Sequence, residues 1–195
     1  MFSDIPSKPE GVQRALLIGV AKVKGFATIS QAYIDVTRMR DFLVKSRGYQ
    51  LENIVIMMHN KSVPQNLYPN TANLLREMDN IVKLTSQHDR IFFYYSGHGD
   101  QVPCRHNTEP DKLDEAILTY TGKRIIDNVL KEHLVDPLPQ GAKFFALCDC
   151  CHSHTVLDLD HYNCNGLKGE SYILWCFQVD VDYFRWVFCC SGRHT

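Results

Sequence analysis

The chain has 195 residues, 45% of them hydrophobic, and a formal net charge of −1. That length suits one α/β domain or slightly more, with enough apolar residues to bury a substantial core. The balanced charge gives no basis for a nucleic-acid surface, and no apolar run of about eighteen residues offers a membrane span.

Residues 1–11 are polar, carry Pro6 and Pro9, and lack a signal-peptide pattern. They read as a disordered lead-in. Four apolar runs then read as buried strands, at 14–20, 53–58, 90–95 and 143–148. Runs that are apolar at every position suit a sheet covered on both faces. Between them lie three helical patterns. Residues 33–45 carry Val36, Met39, Phe42 and Leu43 on one stripe, and Gly48 follows as a stop. Residues 71–84 carry Leu74, Leu75, Met78, Ile81 and Val82, with Thr71 as the expected N-cap. The third, 127–134, ends before Pro137 and Pro139. The polar stretch 99–113 reads as a long loop. Beyond 160 the pattern weakens, and 185–190 is a candidate fifth strand.

Strands alternating with helices predict a three-layer α/β fold around a mostly parallel sheet. Ligands of such folds bind beyond the carboxyl ends of the strands. The third strand runs into Ser96-Gly97-His98-Gly99, and the fourth into Asp149-Cys150-Cys151-His152-Ser153. If those strands are neighbours, His98 and Cys151 face one crevice. An imidazole beside a thiol raises its thiolate fraction and later protonates a leaving amine. Gly97 and Gly99 would turn the backbone tightly and offer N–H groups to an oxyanion. Taken singly, a strand-end cysteine is more often a buried small hydrophobe and a turn histidine more often structural. The separation of 53 residues between His98 and Cys151 is close to the spacing of such pairs in caspases.

Tyr95-Ser96-Gly97-His98-Gly99 and Asp149-Cys150-Cys151-His152-Ser153 together resemble the two active-site motifs of metacaspases, in the caspase-like cysteine peptidase clan. Ala15-Leu16-Leu17-Ile18-Gly19 resembles the opening strand, and Asp35-Val36 followed by Met39 the start of the first helix. Asp114-Glu115-Ala116-Ile117 resembles an acidic turn after the histidine loop, and Leu157-Asp158-Leu159 the segment after the nucleophile. The resemblance covers roughly 14–160 and implies a caspase-like fold and an endopeptidase cleaving after Arg or Lys. It assigns His98 and Cys151 to catalysis, and Asp35, Ser96 and Asp149 to the pocket for the basic side chain. The N–H groups of Gly99 and Cys151 would hold the oxyanion. It also implies a calcium site on Asp114, Asp127, Asn128 and Asp158, and no organic cofactor. Oxygen ligands from several loops suit Ca²⁺. The helix-start Asp35 could equally be an N-cap, and Asp149 a loop cap.

The chain departs from the family pattern at Cys150 (usually serine), His154 (glycine), Ala32 (cysteine) and Asn128 (aspartate). The expected organisation is a catalytic domain over 12–165, followed by a shortened or divergent start of the small-subunit-like region over 166–195, with the last strands missing or incomplete. Eight cysteines without a secretion signal read as a reduced, cytoplasmic protein. Adjacent cysteines on a strand point to opposite faces, which suits a disulfide framework poorly. Two other readings compete with the peptidase: a non-catalytic caspase-like module that binds partners, and a metal module built on Cys148, Cys150, Cys151 and His152. Ligands crowded into one run match structural zinc poorly.

Overall fold

The computed structural model describes residues 11–104, 113–150 and the backbone of 171–175. The strands are β1 (Gln13–Gly19), β2 (Ile54–Met58), β3 (Arg90–Ser96), β4 (Gly99–Pro103), β5 (Leu113–Leu118), β6 (Arg124–Ile126), β7 (Lys143–Asp149) and β8 (Ser171–Trp175). The helices are α1 (Gln31–Arg47), α2 (Thr71–Lys83) and α3 (Asp127–Leu134). Five strands form one sheet in the order β2-β1-β3-β7-β8, and every neighbouring pair is parallel. β4, β5 and β6 form a separate antiparallel sheet.

The helices follow from the strand order. The chain steps from β1 to β2 in one direction, then from β2 past β1 to β3 in the other. Right-handed crossovers therefore place α1 on one face and α2 on the opposite face. The step from β3 to β7 keeps the second direction, so α3 joins α2. The core divides accordingly. Ala15, Leu17, Tyr94 and Leu147 pack with Val36, Met39 and Leu43 of α1. Leu16, Ile18, Phe93, Tyr95, Phe144 and Cys148 pack with Leu74, Met78 and Ile81 of α2 and Leu130 and Leu134 of α3. The small sheet joins that second face through Ile117, Leu118 and Ile125. Leu16 and Leu17 are both fully buried although they point to opposite faces. That is why the strand is apolar at every position, and each such side chain contributes about 1.5–3 kcal/mol on burial.

Gly48 ends α1 at φ 74°, and its N–H donates to Leu43 O, the stop expected from the sequence. Other expectations need correction. α1 begins at Gln31 after Ser30, so Asp35 sits in its second turn and cannot be its N-cap. Asn70, not Thr71, caps α2, because its side chain accepts the Asn73 N–H at 2.9 Å. Asparagine, with its extended backbone there, reaches the third N–H of the helix. The stretch read as a loop over 99–113 contains β4, and the expected acidic turn at 114–117 lies in β5. Both are short, polar-containing strands, and β4 lies at the edge of its sheet, where Pro103 is tolerated. The segment 166–185, to which no element was assigned, includes β8. The candidate strand 185–190 lies outside the described residues, as do most of the residues on which the expected division at 165 falls. No helix among the described residues is long and apolar enough to cross a membrane.

Candidate active site

The direction of chain progression reverses between β1 and β3, which opens a crevice at their carboxyl ends. Gly19 of β1, Ser96 of β3 and Asp149 of β7 lie level there in the strand register. Backbone bonds tie the exits together: Val20 N–H donates to Ser96 O at 2.9 Å, and Gly97 N–H to Asp149 O at 3.2 Å. Side chains alternate along a strand. Tyr94 and Leu147 face α1, so Ser96 and Asp149, two residues further on, share that face. Asp35 of α1 stands close enough for its charge to act on Asp149. The three residues assigned to a basic-side-chain pocket are thus brought together.

Electrostatically the two carboxyl groups are unsettled. Burial, followed by the negative charge of Asp35, raises the Asp149 carboxyl above its usual range. Burial also raises Asp35, and Arg38 pulls it partly back. That arginine is only 3.9 Å away and about half exposed, so it compensates weakly. Two desolvated carboxylates beside one another favour a third group that brings positive charge.

His98 stands two residues past Ser96, as Cys151 stands two past Asp149, and Ser96 and Asp149 are register partners. The His98 ring is half-buried, with Nε2 2.6 Å from Ala27 O and the Phe26 ring 5.0 Å away. A carbonyl can only accept, so Nε2 carries the proton and Nδ1 is the basic nitrogen of the neutral ring. Sequence reasoning missed Ala27, because a backbone carbonyl leaves no mark on residue type. It missed Phe26 because nothing in the first loop ties it to a histidine 72 positions on.

Tyr95 underpins this loop. Its hydroxyl lies fully buried, 2.8 Å from both His98 O and Leu118 O, and accepts the Leu118 N–H at 3.2 Å. Gly97 is required by that hydroxyl rather than by a tight turn. A Cβ on Gly97 would lie 2.6 Å from Tyr95 Oη and 2.9 Å from its Cζ, while Gly97 is not among the glycines with positive φ. Gly97→Ala is therefore expected to destabilise the fold by about 1–3 kcal/mol through overpacking and to lower activity by shifting His98. Chemical denaturation beside a kinetic assay checks both.

Gly97 N–H is also taken by Asp149 O, so it is not an oxyanion donor here. Gly99 differs. Leu118 N–H bonds to His98 O at 3.1 Å, and Gly99 faces Ile117 in the next position of the antiparallel register. Hydrogen-bonded and non-hydrogen-bonded pairs alternate, so β5 does not claim the Gly99 N–H. Cys151 and Asp158 lie outside the described residues. Burial, with the charge of Asp149 second, pushes the Cys148 thiol up to about 12. That thiol stays protonated, which makes it a poor nucleophile and a poor metal ligand.

Asp114, Asp127 and Asn128 gather where β5 meets the start of α3. Asp114 and Asp127 are buried. Asp127 accepts Glu115 N–H at 3.0 Å and Asn128 N–H at 2.6 Å. Asp114 Oδ1 is buried with no hydrogen-bond partner among the described residues. A buried carboxylate oxygen left unpaired fits a cation. Among the described residues no group of three or more His, Cys, Asp or Glu side chains could hold a metal by itself, so such a site would need further oxygen donors.

A parallel sheet in this strand order, with helices on both faces and a histidine loop at its carboxyl edge, defines a caspase-like fold. The metacaspase peptidase C14 domain matches residues 13–160, and the chain belongs to that family. It is 34% identical to Metacaspase-1 of Cryptococcus neoformans over 172 residues, covering 86% of this chain and 37% of that protein. It is 36% identical to Metacaspase-1B of Aspergillus niger over 164 residues, covering 82% and 37%. The chain thus spans under half the length of these relatives. Among solved structures it resembles protein GSU0716 from Geobacter sulfurreducens, with a TM-score of 0.59 and 26% identity, covering 75% of this chain and 53% of that one.

Proposed function

We propose that the chain is a cysteine endopeptidase that cleaves proteins and peptides after Arg or Lys. What supports this reading is that Ser96 and Asp149 are register partners, that the charge of Asp35 acts on Asp149, and that His98 follows Ser96 by two residues, so that the three could wall a pocket beside it. A guanidinium or ammonium entering that pocket relieves the repulsion of the two carboxylates and donates charge-assisted hydrogen bonds to them. The scissile carbonyl then lies over the paired ends of β3 and β7. His98 Nδ1 draws the proton from Cys151, and the thiolate attacks the carbonyl carbon. The N–H groups of Gly99 and Cys151 receive the oxyanion. As the tetrahedral intermediate collapses, the C–N bond breaks and imidazolium His98 passes its proton to the leaving amine. Water, deprotonated by His98, hydrolyses the thioester and restores the thiol. Ala27 O holds Nε2–H throughout, so the ring works through Nδ1 alone. Cys151 must stay reduced for this chemistry, which suits the cytoplasm.

Asp114, Asp127, Asn128 and Asp158 are the residues that would hold Ca²⁺. Bound there, it would neutralise the buried carboxylates and fasten β5 to the start of α3. Added Ca²⁺ is expected to raise the melting temperature, and Asp114→Ala to remove that rise. A melting temperature indifferent to Ca²⁺ counts against the site.

The test of the activity is turnover of matched peptides carrying Arg, Lys or Asp before the scissile bond, with and without Ca²⁺. Cleavage after Arg and Lys is expected. Cleavage after Asp alone, or of none of the three, overturns the reading.

A further inference from the structure

We propose that Phe26 walls the subsite for the residue immediately after the scissile bond, and that the chain prefers an apolar side chain there. The inference rests on the peptidase reading above and deepens it.

The fold leaves five large hydrophobics substantially exposed among the described residues: Val12, Phe26, Ile34, Leu51 and Leu84. Val12, Leu51 and Leu84 precede β1, precede β2 and follow α2, which puts them at the amino edge of the sheet, away from the crevice. Ile34 lies between the buried positions of α1, on its solvent side. Phe26 alone stands in the crevice, 41% exposed, with its ring tilted 46° to His98 and 5.0 Å from it.

Its position is built in. Phe26 N–H donates to Val23 O at 3.2 Å, closing a turn. Gly25 supplies φ +88° at the third position of that turn, which a residue with a Cβ adopts only under strain. The next residue, Ala27, holds His98 Nε2. The Phe26 ring and the carbonyl that holds the His98 ring are therefore carried by one short segment.

The chemistry fixes what lies opposite. His98 gives its proton to the leaving nitrogen, and that nitrogen belongs to the residue after the scissile bond. A ring packed against His98 and open to water is placed to border that residue. The carboxylates of Asp35 and Asp149 serve the residue before the bond. An apolar side chain would cover the exposed face of Phe26, whereas glycine covers nothing and an acidic side chain gains nothing from it.

The test compares kcat/KM for intact peptides Arg-Leu, Arg-Gly and Arg-Asp at the cleaved bond, using the full chain, Phe26→Ala and Phe26→Leu. The full chain is expected to favour Leu over Gly roughly tenfold. Phe26→Ala should bring the ratio to about one, and Phe26→Leu should keep most of it. Phe26→Ala should melt with the parent, because it removes an exposed ring. An equal rate on Leu and Gly in the parent, or an unchanged ratio in Phe26→Ala, overturns the inference while leaving the peptidase reading intact. Failure of the parent to cleave any of the three peptides overturns both.

Discussion

His98→Ala is expected to lower kcat/KM on a peptide with Arg before the scissile bond by about 10²–10⁴-fold, the span for loss of a positioned acid–base group. The same variant should fold. The His98 ring is half-buried, makes one side-chain hydrogen bond among the described residues, to Ala27 O, and borders a Phe26 ring that is itself exposed. The backbone of the loop is held independently, by Tyr95 Oη on His98 O and by Leu118 N–H on the same oxygen. Those bonds do not need the imidazole. Kinetics and a thermal melt on one preparation separate the two effects. A variant that loses fold and rate together would mean that His98 is structural, and one that keeps the full rate would remove it from the mechanism.

Asp149→Asn should produce opposite changes in activity and stability. Asp149 and Asp35 both have carboxyls raised above their ordinary value of 3.8, each mainly by burial. A raised carboxyl binds its proton more tightly in the folded state than in the unfolded one. Folding is therefore favoured in acid, and stability falls as the pH climbs from the unfolded value through the raised folded value. Once ionised, each group is charged at a cost to the fold, because burial disfavours its charged form. Asp149→Asn removes that cost, so its melting temperature should exceed the parent's at pH 7 and match it at pH 3. Cleavage after Arg should fall by roughly one to two orders of magnitude, the worth of a hydrogen bond to a charged partner. A melting temperature lowered at pH 7 would show that Asp149 is a structural cap instead.

Much of the fold was legible because burial on both faces forces continuous apolar runs. β1, β2, β3 and β7 were each marked by one, and α3 matches its expected span of 127–134. β4, β5 and β6 were not legible. They interleave polar with apolar residues, and β4 includes Asp100 and Gln101, whose side chains pair with Arg124 and Glu115. Such tertiary pairing leaves no periodicity to read. The nearness of Asp35 to Asp149 was legible only through motif resemblance, since nothing about Asp35 alone distinguishes it from a solvated helix acid. Its partnership with Asp149 depends on β1 and β3 being neighbours, which the strand order decides. Ala27 was invisible for a different reason. Its contribution is a carbonyl that every residue has, placed by a turn whose only sequence trace is Gly25.

The proposed peptidase chemistry requires a thiolate at Cys151, activated by His98, beside a pocket that would take a cation. The most direct measurement is covalent trapping. A peptidyl-arginine fluoromethyl ketone and its aspartate analogue are each incubated with the chain, and the adduct is mapped by peptide mass spectrometry. The arginine reagent is expected to label Cys151 alone, to lose its rate in His98→Ala and in Asp149→Asn, and to outpace the aspartate reagent. Labelling of Cys148, Cys150 or Cys104 in place of Cys151, or equal rates for the two reagents, would contradict it.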